Sequence, residues 1–105
     1  MNKLNELIKL TEIWADDVGI TLKGNPEKQA EKVIEEANEL FTAIKSGDKS
    51  QIIDELGDVM VTIIIEALLV DVKLEECLFF AYQKIKNRVG KGEMRNGTFV
   101  KAEDL

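Results

Sequence analysis

Two acidic motifs, placed symmetrically about a predicted turn, constrain this chain more than any other feature. The first motif contains Glu36 and Glu39, the second contains Glu55 and Asp58, and Gly47 lies midway between them. Gly47 is eight residues from the nearer acid of each motif and eleven from the farther one. Both flanking segments have helical patterns, and residues three apart share a helix face. An antiparallel hairpin that turns at Gly47 therefore brings four carboxylates together.

Such a carboxylate cluster needs a compensating partner. Two like charges about 4 Å apart repel by about 1 kcal/mol in water and by about 4 kcal/mol at an effective dielectric constant of 20. A proton or a bound cation relieves that repulsion, and carboxylate oxygens suit Mg²⁺, Mn²⁺ or Ca²⁺. The alternative is a solvated acidic face, because Glu is common in helices. The mirrored spacing and the apolar residues that follow Asp58 favour a site.

The amino-acid composition limits which partners and which catalytic residues this chain can use. At 105 residues we expect one domain covering residues 1–105. Acids outnumber bases 20 to 14, for a net charge of −6, which argues against a nucleic-acid polymer as partner. The sequence contains no histidine, which excludes histidine-based triads and zinc sites. An enzyme of this composition must rely on carboxylates, lysine, a hydroxyl or metal-bound water.

The sequence also predicts a cytoplasmic protein that does not cross a membrane. The amino-terminal residues are already polar and periodic, unlike a secretory signal. The longest apolar stretch, Val59 to Val70, is too short to span a bilayer. The one cysteine, Cys77, cannot form an internal disulfide, which fits a reducing compartment. We interpret it as a small buried apolar residue rather than a nucleophile.

Hydrophobic periodicity predicts an all-α, four-helix, bundle-like fold. The predicted helices are Asn2 to about Asp17, Pro26 to about Lys45, a third from the Asp48 cap through the apolar run ending at Val70, and Leu74 to about Val89. We expect Asn25 to cap the second helix, and Asp48 and Gln51 to form a capping box at the third. Asn96-Gly97 predicts a turn or small hairpin in an otherwise irregular carboxyl-terminal tail.

The third predicted helix is apolar on nearly all its faces. A helix of this kind is buried on all sides, and three short helices cannot readily surround it. We therefore expect a homo-oligomer, either a dimer or a tetramer, in which subunits pack this helix together. Glu66 interrupts the apolar run, and the sequence leaves open whether it is an interface-edge charge, a paired acid or part of the site.

A basic pair of residues and one tryptophan also have alternative interpretations. Lys84 and Arg88 are four residues apart and share a face of the fourth predicted helix. They form either a phosphate clamp or an ordinary basic helix terminus, which the helix dipole favours. Trp14 is either a core residue or an aromatic surface on which a nucleobase can stack.

These motifs together resemble the MazG-like proteins of the all-α nucleoside triphosphate pyrophosphohydrolase superfamily. The superfamily pattern Glu-x-x-Glu, spacer, Glu-x-x-Asp falls on Glu36, Glu39, Glu55 and Asp58, preceded by Glu35. Similar stretches also include Trp14-Ala15-Asp16, Gly24-Asn25-Pro26, Asp54 to Asp58 and Asn96 to Lys101. The resemblance thus covers most of the chain.

The resemblance implies Mg²⁺-dependent hydrolysis of a (deoxy)nucleoside triphosphate to the monophosphate and pyrophosphate, with Mn²⁺ as a substitute. It implies a catalytic set in which Glu36, Glu39, Glu55 and Asp58 hold metal and Glu35 orients or deprotonates the attacking water. Lys84 and Arg88 match a pair that relatives use near the phosphates. Trp14 matches a region that can contribute to the base pocket.

Three functions therefore remain open at the level of sequence. The first is a nucleotide pyrophosphohydrolase that cleanses non-standard or surplus nucleotides. The second is a related pyrophosphohydrolase with another substrate, such as phosphoribosyl-ATP. The third is a non-enzymatic helical module that uses the acidic hairpin for metal-dependent assembly or regulation.

Overall fold

The computed structural model describes residues 3–105, which are mainly α-helical and end in a two-stranded hairpin. In chain order the elements are α1 (Leu4–Asp17), α2 (Ile20–Lys23), α3 (Pro26–Ser46), α4 (Lys49–Leu69), α5 (Leu74–Ile85), β1 (Gly92–Arg95), β2 (Thr98–Lys101) and a 3₁₀ turn (Ala102–Asp104). The prediction of a mainly helical chain is confirmed. The predicted start of the first helix at Asn2 lies outside the described residues. None of the described helices combines the length and apolar character needed to cross a membrane.

The chain divides into two compact units, one ending at Val72 and the other running from Lys73 to Leu105. The first unit contains α1 to α4, and the second contains α5 and the β-hairpin. The arrangement of four helices as a bundle remains a prediction.

The two longest helices, α3 and α4, form the antiparallel hairpin that the sequence predicts. Asn25 caps α3 as expected, since its Oδ1 accepts a hydrogen bond from the Lys28 N–H at 3.0 Å and Pro26 occupies the first helical position. Gly47 ends α3 with a φ of 74°, a left-handed conformation that glycine adopts without steric cost. This turn reverses the chain and aligns the two helices side by side.

The amino terminus of α4 departs from the predicted capping box. Asp48 does cap the helix, because its Oδ1 accepts from the Ser50 N–H at 2.9 Å and the Gln51 N–H at 3.5 Å. In a capping box the Gln51 side chain would accept a hydrogen bond from the Asp48 N–H. Here the Asp48 N–H donates instead to Oγ of Ser46 at 3.2 Å. The serine hydroxyl in the preceding turn thus takes the donor that a capping box would use.

The core of the first unit lies where α1 and α3 pack on α4. Ala15 of α1 is completely buried, and α4 contributes Ile64 and Ile65, which are about as well covered. The side chain of Gln29 on α3 donates from Nε2 to the main-chain oxygen of Thr62 at 3.1 Å, which ties the two long helices together. Other apolar side chains of α4 remain exposed, including Ile53. The expectation that α4 is buried on all sides is therefore not met within one chain.

The segment between α1 and α3, which lies outside the predicted helices, contains the one-turn helix α2. Gly19, with a φ of 88°, ends α1 and allows the chain to begin a new turn. Gly24 then passes so close to α4 that a Cβ atom there would lie 2.5 Å from the Ile20 oxygen and 2.8 Å from Leu69 Cδ2. A larger residue at position 24 would push the connector away from α4.

The second unit corrects one predicted boundary, confirms one turn and leaves Cys77 exposed on α5, so the predicted burial of this residue is wrong. Helix α5 ends at Ile85 rather than near Val89, and the chain continues in turns stabilised by short-range bonds such as the Arg88 N–H to the Ile85 oxygen at 2.9 Å. Strands β1 and β2 pair antiparallel across Asn96-Gly97, whose φ values of 50° and 86° are those of a tight hairpin turn. The tail from Lys101 therefore continues as the end of β2 and a 3₁₀ turn.

Candidate metal centre

The α3/α4 hairpin brings the predicted acids together in two overlapping groups. One carboxylate oxygen from each of Glu36, Glu55 and Asp58 lies within 4.8 Å of the others. Glu35, Glu36 and Glu39 form a second such group on α3. Glu36 belongs to both groups and links them. The local cause is helical: acids three or four apart share a face, and the antiparallel hairpin turns those faces towards each other.

Partial burial makes this cluster electrostatically unfavourable without a cation. Glu36 and Glu55 each have an Oε2 atom that is shielded from water and finds no hydrogen-bond partner among residues 3–105. A shielded carboxylate oxygen without a donor costs free energy, because water no longer solvates it. A cation or a proton at these two atoms would therefore be stabilising.

Burial and mutual repulsion both disfavour ionisation in the cluster. Burial raises the pKa of Glu55 to about 7, with further contributions from the negative charges of Glu39, Asp58, Glu36 and Asp54. The pKa of Glu36 is also raised, first by burial, then by a hydrogen bond with Glu39 and repulsion from Glu39, Asp58 and Glu35. Near neutral pH a proton and a cation therefore compete for the same oxygens.

The donor set fits a hard divalent cation. Every candidate ligand is a carboxylate oxygen, the type that Mg²⁺, Mn²⁺ and Ca²⁺ prefer. The shielded, partnerless oxygens of Glu36 and Glu55 are the atoms that a cation would satisfy. These residues can therefore hold a metal, although their roles as ligands remain a prediction.

An apolar groove lies between α1 and α4. Its volume is about 380 Å³, and it is lined by Leu7, Leu10, Thr11 and Trp14 of α1 together with Val61 of α4. Val61 follows Asp58 by three residues, which is roughly 4.5 Å along a helix axis. Trp14, which is 51% exposed, is thus a groove residue rather than a core residue. The sequence analysis named only Trp14 as a possible base-pocket residue. The spacing of positions 7, 10, 11 and 14, which places them on one helix face, could have predicted the other groove residues of α1.

The basic pair occupies the second unit. Lys84 lies near the end of α5, whereas Arg88 lies three residues beyond it. Because the helix has already ended, the argument that residues four apart share a helix face does not apply to this pair. Its role at the phosphates remains a prediction.

Comparison with known proteins identifies the family. Residues 25–91 match the MazG nucleotide pyrophosphohydrolase domain. The match begins at the Asn25 cap of α3 and includes all five candidate acids, Lys84 and Arg88. The chain belongs to the MazG family. The acidic hairpin lies inside the matched segment, whereas Trp14 and both strands of the β-hairpin lie outside it.

A viral protein is also similar to part of this chain. It is described as "Uncharacterized 18.2 kDa protein in rep-hol intergenic region" of Haemophilus phage HP1 (strain HP1c1), and it is 36% identical over 67 residues. The similar region covers 64% of this chain and 41% of the phage protein, so it spans less than half of that relative. No solved structure gives a significant match to the chain. The MazG domain suggests nucleotide pyrophosphohydrolase activity.

Proposed function

We propose that this MazG domain hydrolyses a (deoxy)nucleoside triphosphate between its α- and β-phosphates, with Mg²⁺ as the cofactor and Mn²⁺ as a substitute. The products are a nucleoside monophosphate and pyrophosphate, and the biological role is removal of non-standard or surplus nucleotides. The observation that carries the proposal is the carboxylate cluster, in which Glu36 and Glu55 each have a shielded oxygen without a hydrogen-bond partner among the described residues.

In this proposal residues of both acidic motifs bind the metal. Glu36, Glu55 and Asp58 hold the cation between α3 and α4, and Glu39 adds a fourth carboxylate from α3. When bound, Mg²⁺ neutralises charge on the phosphates and lowers the pKa of water. The protein residues fix where the phosphates bind, because the hairpin holds their carboxylates in place before substrate arrives.

Glu35 is the proposed base for the attacking water. Its carboxylate lies within 4.8 Å of those of Glu36 and Glu39, so it borders the metal ligands. It is exposed, and solvent can therefore reach it. Glu35 either orients the water molecule or accepts its proton as the new bond to phosphorus forms.

The substrate's other parts have candidate binding residues. The apolar groove lined by Trp14 suits a nucleobase, since an aromatic ring offers a stacking surface and apolar walls exclude water. Val61 lines the groove one helical turn beyond Asp58, so a base bound there would lie close to the metal ligands. Lys84 and Arg88 are the proposed phosphate contacts. We further propose that residues 1–105 act as one MazG domain in a homo-oligomer, a dimer or a tetramer.

The reaction can be tested with a panel of canonical and modified nucleoside triphosphates, with phosphoribosyl-ATP as an additional substrate. Purified protein is incubated with each compound and Mg²⁺, and the products are separated by chromatography. We expect monophosphate and pyrophosphate, and complete loss of both when EDTA is added. Saturable Mg²⁺ binding without turnover of any compound would contradict the enzymatic proposal and would favour a metal-dependent assembly or regulatory module.

A further inference from the structure

The apolar groove between α1 and α4 offers few hydrogen-bonding groups to a ligand. Three of its lining residues, Leu7, Leu10 and Val61, have hydrocarbon side chains, and the others are Thr11 and Trp14. An apolar pocket discriminates only weakly between ligands of the same shape, whereas a pocket that hydrogen-bonds a particular group rejects the analogue that lacks it. The polar atoms of Thr11 and Trp14 therefore decide which ligands of similar shape the groove can distinguish.

The hydroxyl of Thr11 already uses its only donor within α1. It donates to the main-chain oxygen of Leu7, one helical turn earlier, at 2.8 Å. A threonine hydroxyl carries one O–H donor and two acceptor lone pairs. Because the donor is occupied, only lone pairs remain for a ligand. Thr11 therefore offers a hydrogen-bond acceptor in the groove, and the partial exposure of this residue leaves the acceptor accessible.

The indole N–H of Trp14 does not contact a base that stacks on its ring. The N–H lies in the plane of the ring, at its edge, whereas a stacked base lies over the face of the ring. Trp14 follows Thr11 by three residues, so the two side chains share a face of α1. Among the described side chains that line the groove, the Thr11 hydroxyl is therefore the group that can recognise the edge of a base stacked on Trp14.

Nucleobases differ in whether they offer a donor to such an acceptor. Adenine and cytosine carry an exocyclic amine, which donates a hydrogen bond, whereas hypoxanthine and uracil carry an oxygen at that position, which accepts one. An amine can bond to the Thr11 lone pair. An oxygen placed there is repelled, and both acceptors remain without a partner, which costs free energy.

The oxo bases also carry a ring N–H, but it lies on the atom next to the carbonyl carbon. Bringing that N–H to Thr11 requires the base to shift along the groove. In the proposed substrate complex, the base is joined through its sugar to phosphates that are held at the metal, so its freedom to shift is small. The exocyclic group is therefore the part of the base that meets Thr11.

We propose that Thr11 is a specificity-determining residue that selects nucleotides with an aminated base, adenine or cytosine, over their deaminated counterparts. The inference rests on the proposed function, because it takes the groove as the base-binding part of the substrate site. It extends that proposal by naming the substrate class. Of the two biological roles proposed above, it favours removal of surplus aminated nucleotides over removal of deaminated ones.

Trp14 makes a direct binding test possible, because it is the only tryptophan in the chain and its fluorescence reports whether the groove is occupied. Metal-free protein is titrated with adenosine, inosine, cytidine and uridine, which carry no phosphates. We expect adenosine to bind about 10-fold more tightly than inosine, and cytidine about 10-fold more tightly than uridine, which is the effect of one ordinary hydrogen bond.

Variants of Thr11 separate hydrogen bonding from shape. Thr11→Val keeps the branched side chain but lacks the hydroxyl, so each pair of nucleosides should bind about equally, whereas Thr11→Ser retains the acceptor and should keep the preference. Thr42→Val is the matched control. The Thr42 hydroxyl also donates to a main-chain oxygen one turn earlier, that of Asn38 at 3.2 Å, but Thr42 lies on α3 outside the groove. Circular dichroism checks that each variant keeps its helices.

Three results would overturn the proposal. One is a wild-type protein that binds none of the four nucleosides, or that binds the two members of each pair equally. Another is a Thr11→Val variant that weakens all four nucleosides by the same factor, because the residue would then support the shape of the groove without selecting the base. The third is a Thr42→Val variant that removes the preference as Thr11→Val does.

Turnover of ATP, ITP, CTP and UTP with Mg²⁺ is measured separately, so the two proposals can fail independently. Pyrophosphate release with equal kcat/KM for both members of each pair would refute the role of Thr11 and leave the hydrolase proposal intact. Discrimination between nucleosides without turnover of any triphosphate would support the role of Thr11 in base binding and refute the hydrolase proposal.

Discussion

The two sides of the α3/α4 hairpin pose opposite physical problems on the same pair of helices. On one side, carboxylates lie within 4.8 Å of each other, and two of them have shielded oxygens without partners among residues 3–105. On the other side, large apolar side chains are exposed to water. The first arrangement is relieved by protons or cations, and the second by another apolar surface.

The comparison shows how a short sequence can separate chemistry from assembly. Each residue turns a helix by about 100°, so Glu39 and Phe41, which are two residues apart, point to nearly opposite sides of α3. They can therefore serve unrelated functions. The carboxylate side should respond to pH, metal and nucleotide, whereas the apolar side should respond to protein concentration through the proposed homo-oligomer. Substitutions that change only one of these responses most directly test whether the two sides of the hairpin are independent.

The largest effect should come from neutralising a metal ligand. We expect Asp58→Asn and Glu36→Gln each to lower nucleotide turnover by about 10²-fold or more, because even residues that merely support metal ligands typically cost 10–100-fold when changed. Both variants should remain folded and oligomeric, since each removes repulsion from the cluster. The measurement is pyrophosphate release at saturating Mg²⁺, together with molar mass.

Asp17→Asn provides the matched control for that prediction, because it removes one acid from the exposed end of α1. It should leave turnover unchanged. Full activity in Asp58→Asn or Glu36→Gln would show that the site assignment is wrong. Loss of assembly in either variant would show instead that the metal holds the oligomer together, and that the two sides of the hairpin are not independent.

A smaller effect should appear in the pH dependence of stability. Burial and the charges of Glu39, Asp58, Glu36 and Asp54 raise the pKa of Glu55 to about 7, from an ordinary value of 4.5. The folded state therefore holds this proton more tightly than the unfolded state does. The resulting stabilisation is complete below about pH 4.5 and is lost as the pH rises through about 7.

Metal-free protein should accordingly melt at a higher temperature at pH 5.5 than at pH 8, and the rise in melting temperature on adding Mg²⁺ should be larger at pH 8. Glu55→Gln should reduce both differences, because the amide neither titrates nor repels its neighbours. Glu6→Gln on α1 controls for loss of one acid elsewhere. Equal pH dependence in the wild type and Glu55→Gln would rule out the raised pKa as the cause.

Local sequence patterns predicted the carboxylate side well. The spacing of the acids from Gly47 and the helical repeat are enough to place Glu36 near Asp58. The cap at Asn25 was predictable because it depends only on a local side-chain oxygen that accepts a hydrogen bond from a backbone N–H of the first turn. The burial of single oxygens on Glu36 and Glu55 could not be predicted, because it depends on how closely α3 and α4 pack. The same limit applies to the groove, since Leu7 and Val61 meet only when α1 docks on α4.

The remaining differences have equally specific causes. The apolar run in α4 predicted burial on all sides, but residue types alone do not distinguish Ile64, which is buried by the chain, from Met60, which is 45% exposed. The end of α5 at Ile85 was missed because Lys86 and Asn87 tolerate helix and no glycine follows until Gly90. The capping box was wrongly predicted because Oγ of Ser46, in the preceding turn, accepts the hydrogen bond from the Asp48 N–H.

The smallest predicted effect concerns Gly57, which lies between Leu56 and the proposed metal ligand Asp58. A Cβ atom at Gly57 would meet nothing within 4 Å in the described chain, so no internal contact requires glycine there. Glycine inside a helix costs about 0.5–1 kcal/mol relative to alanine. Gly57→Ala should therefore stabilise the metal-free monomer unit by about that amount, which raises the melting temperature by roughly 4–8 °C per kcal/mol in a domain of this size.

Turnover, molar mass and stability of Gly57→Ala would together indicate whether either side of the hairpin requires glycine at this position. A stabilised protein with normal turnover and normal mass would show that position 57 is free on both sides. Normal mass with reduced turnover would mean that substrate approaches the α4 backbone at Gly57. Normal turnover with a weaker oligomer would mean that a neighbouring copy in the proposed homo-oligomer packs against position 57. Reduced stability of the chain itself would contradict the open surroundings of Gly57.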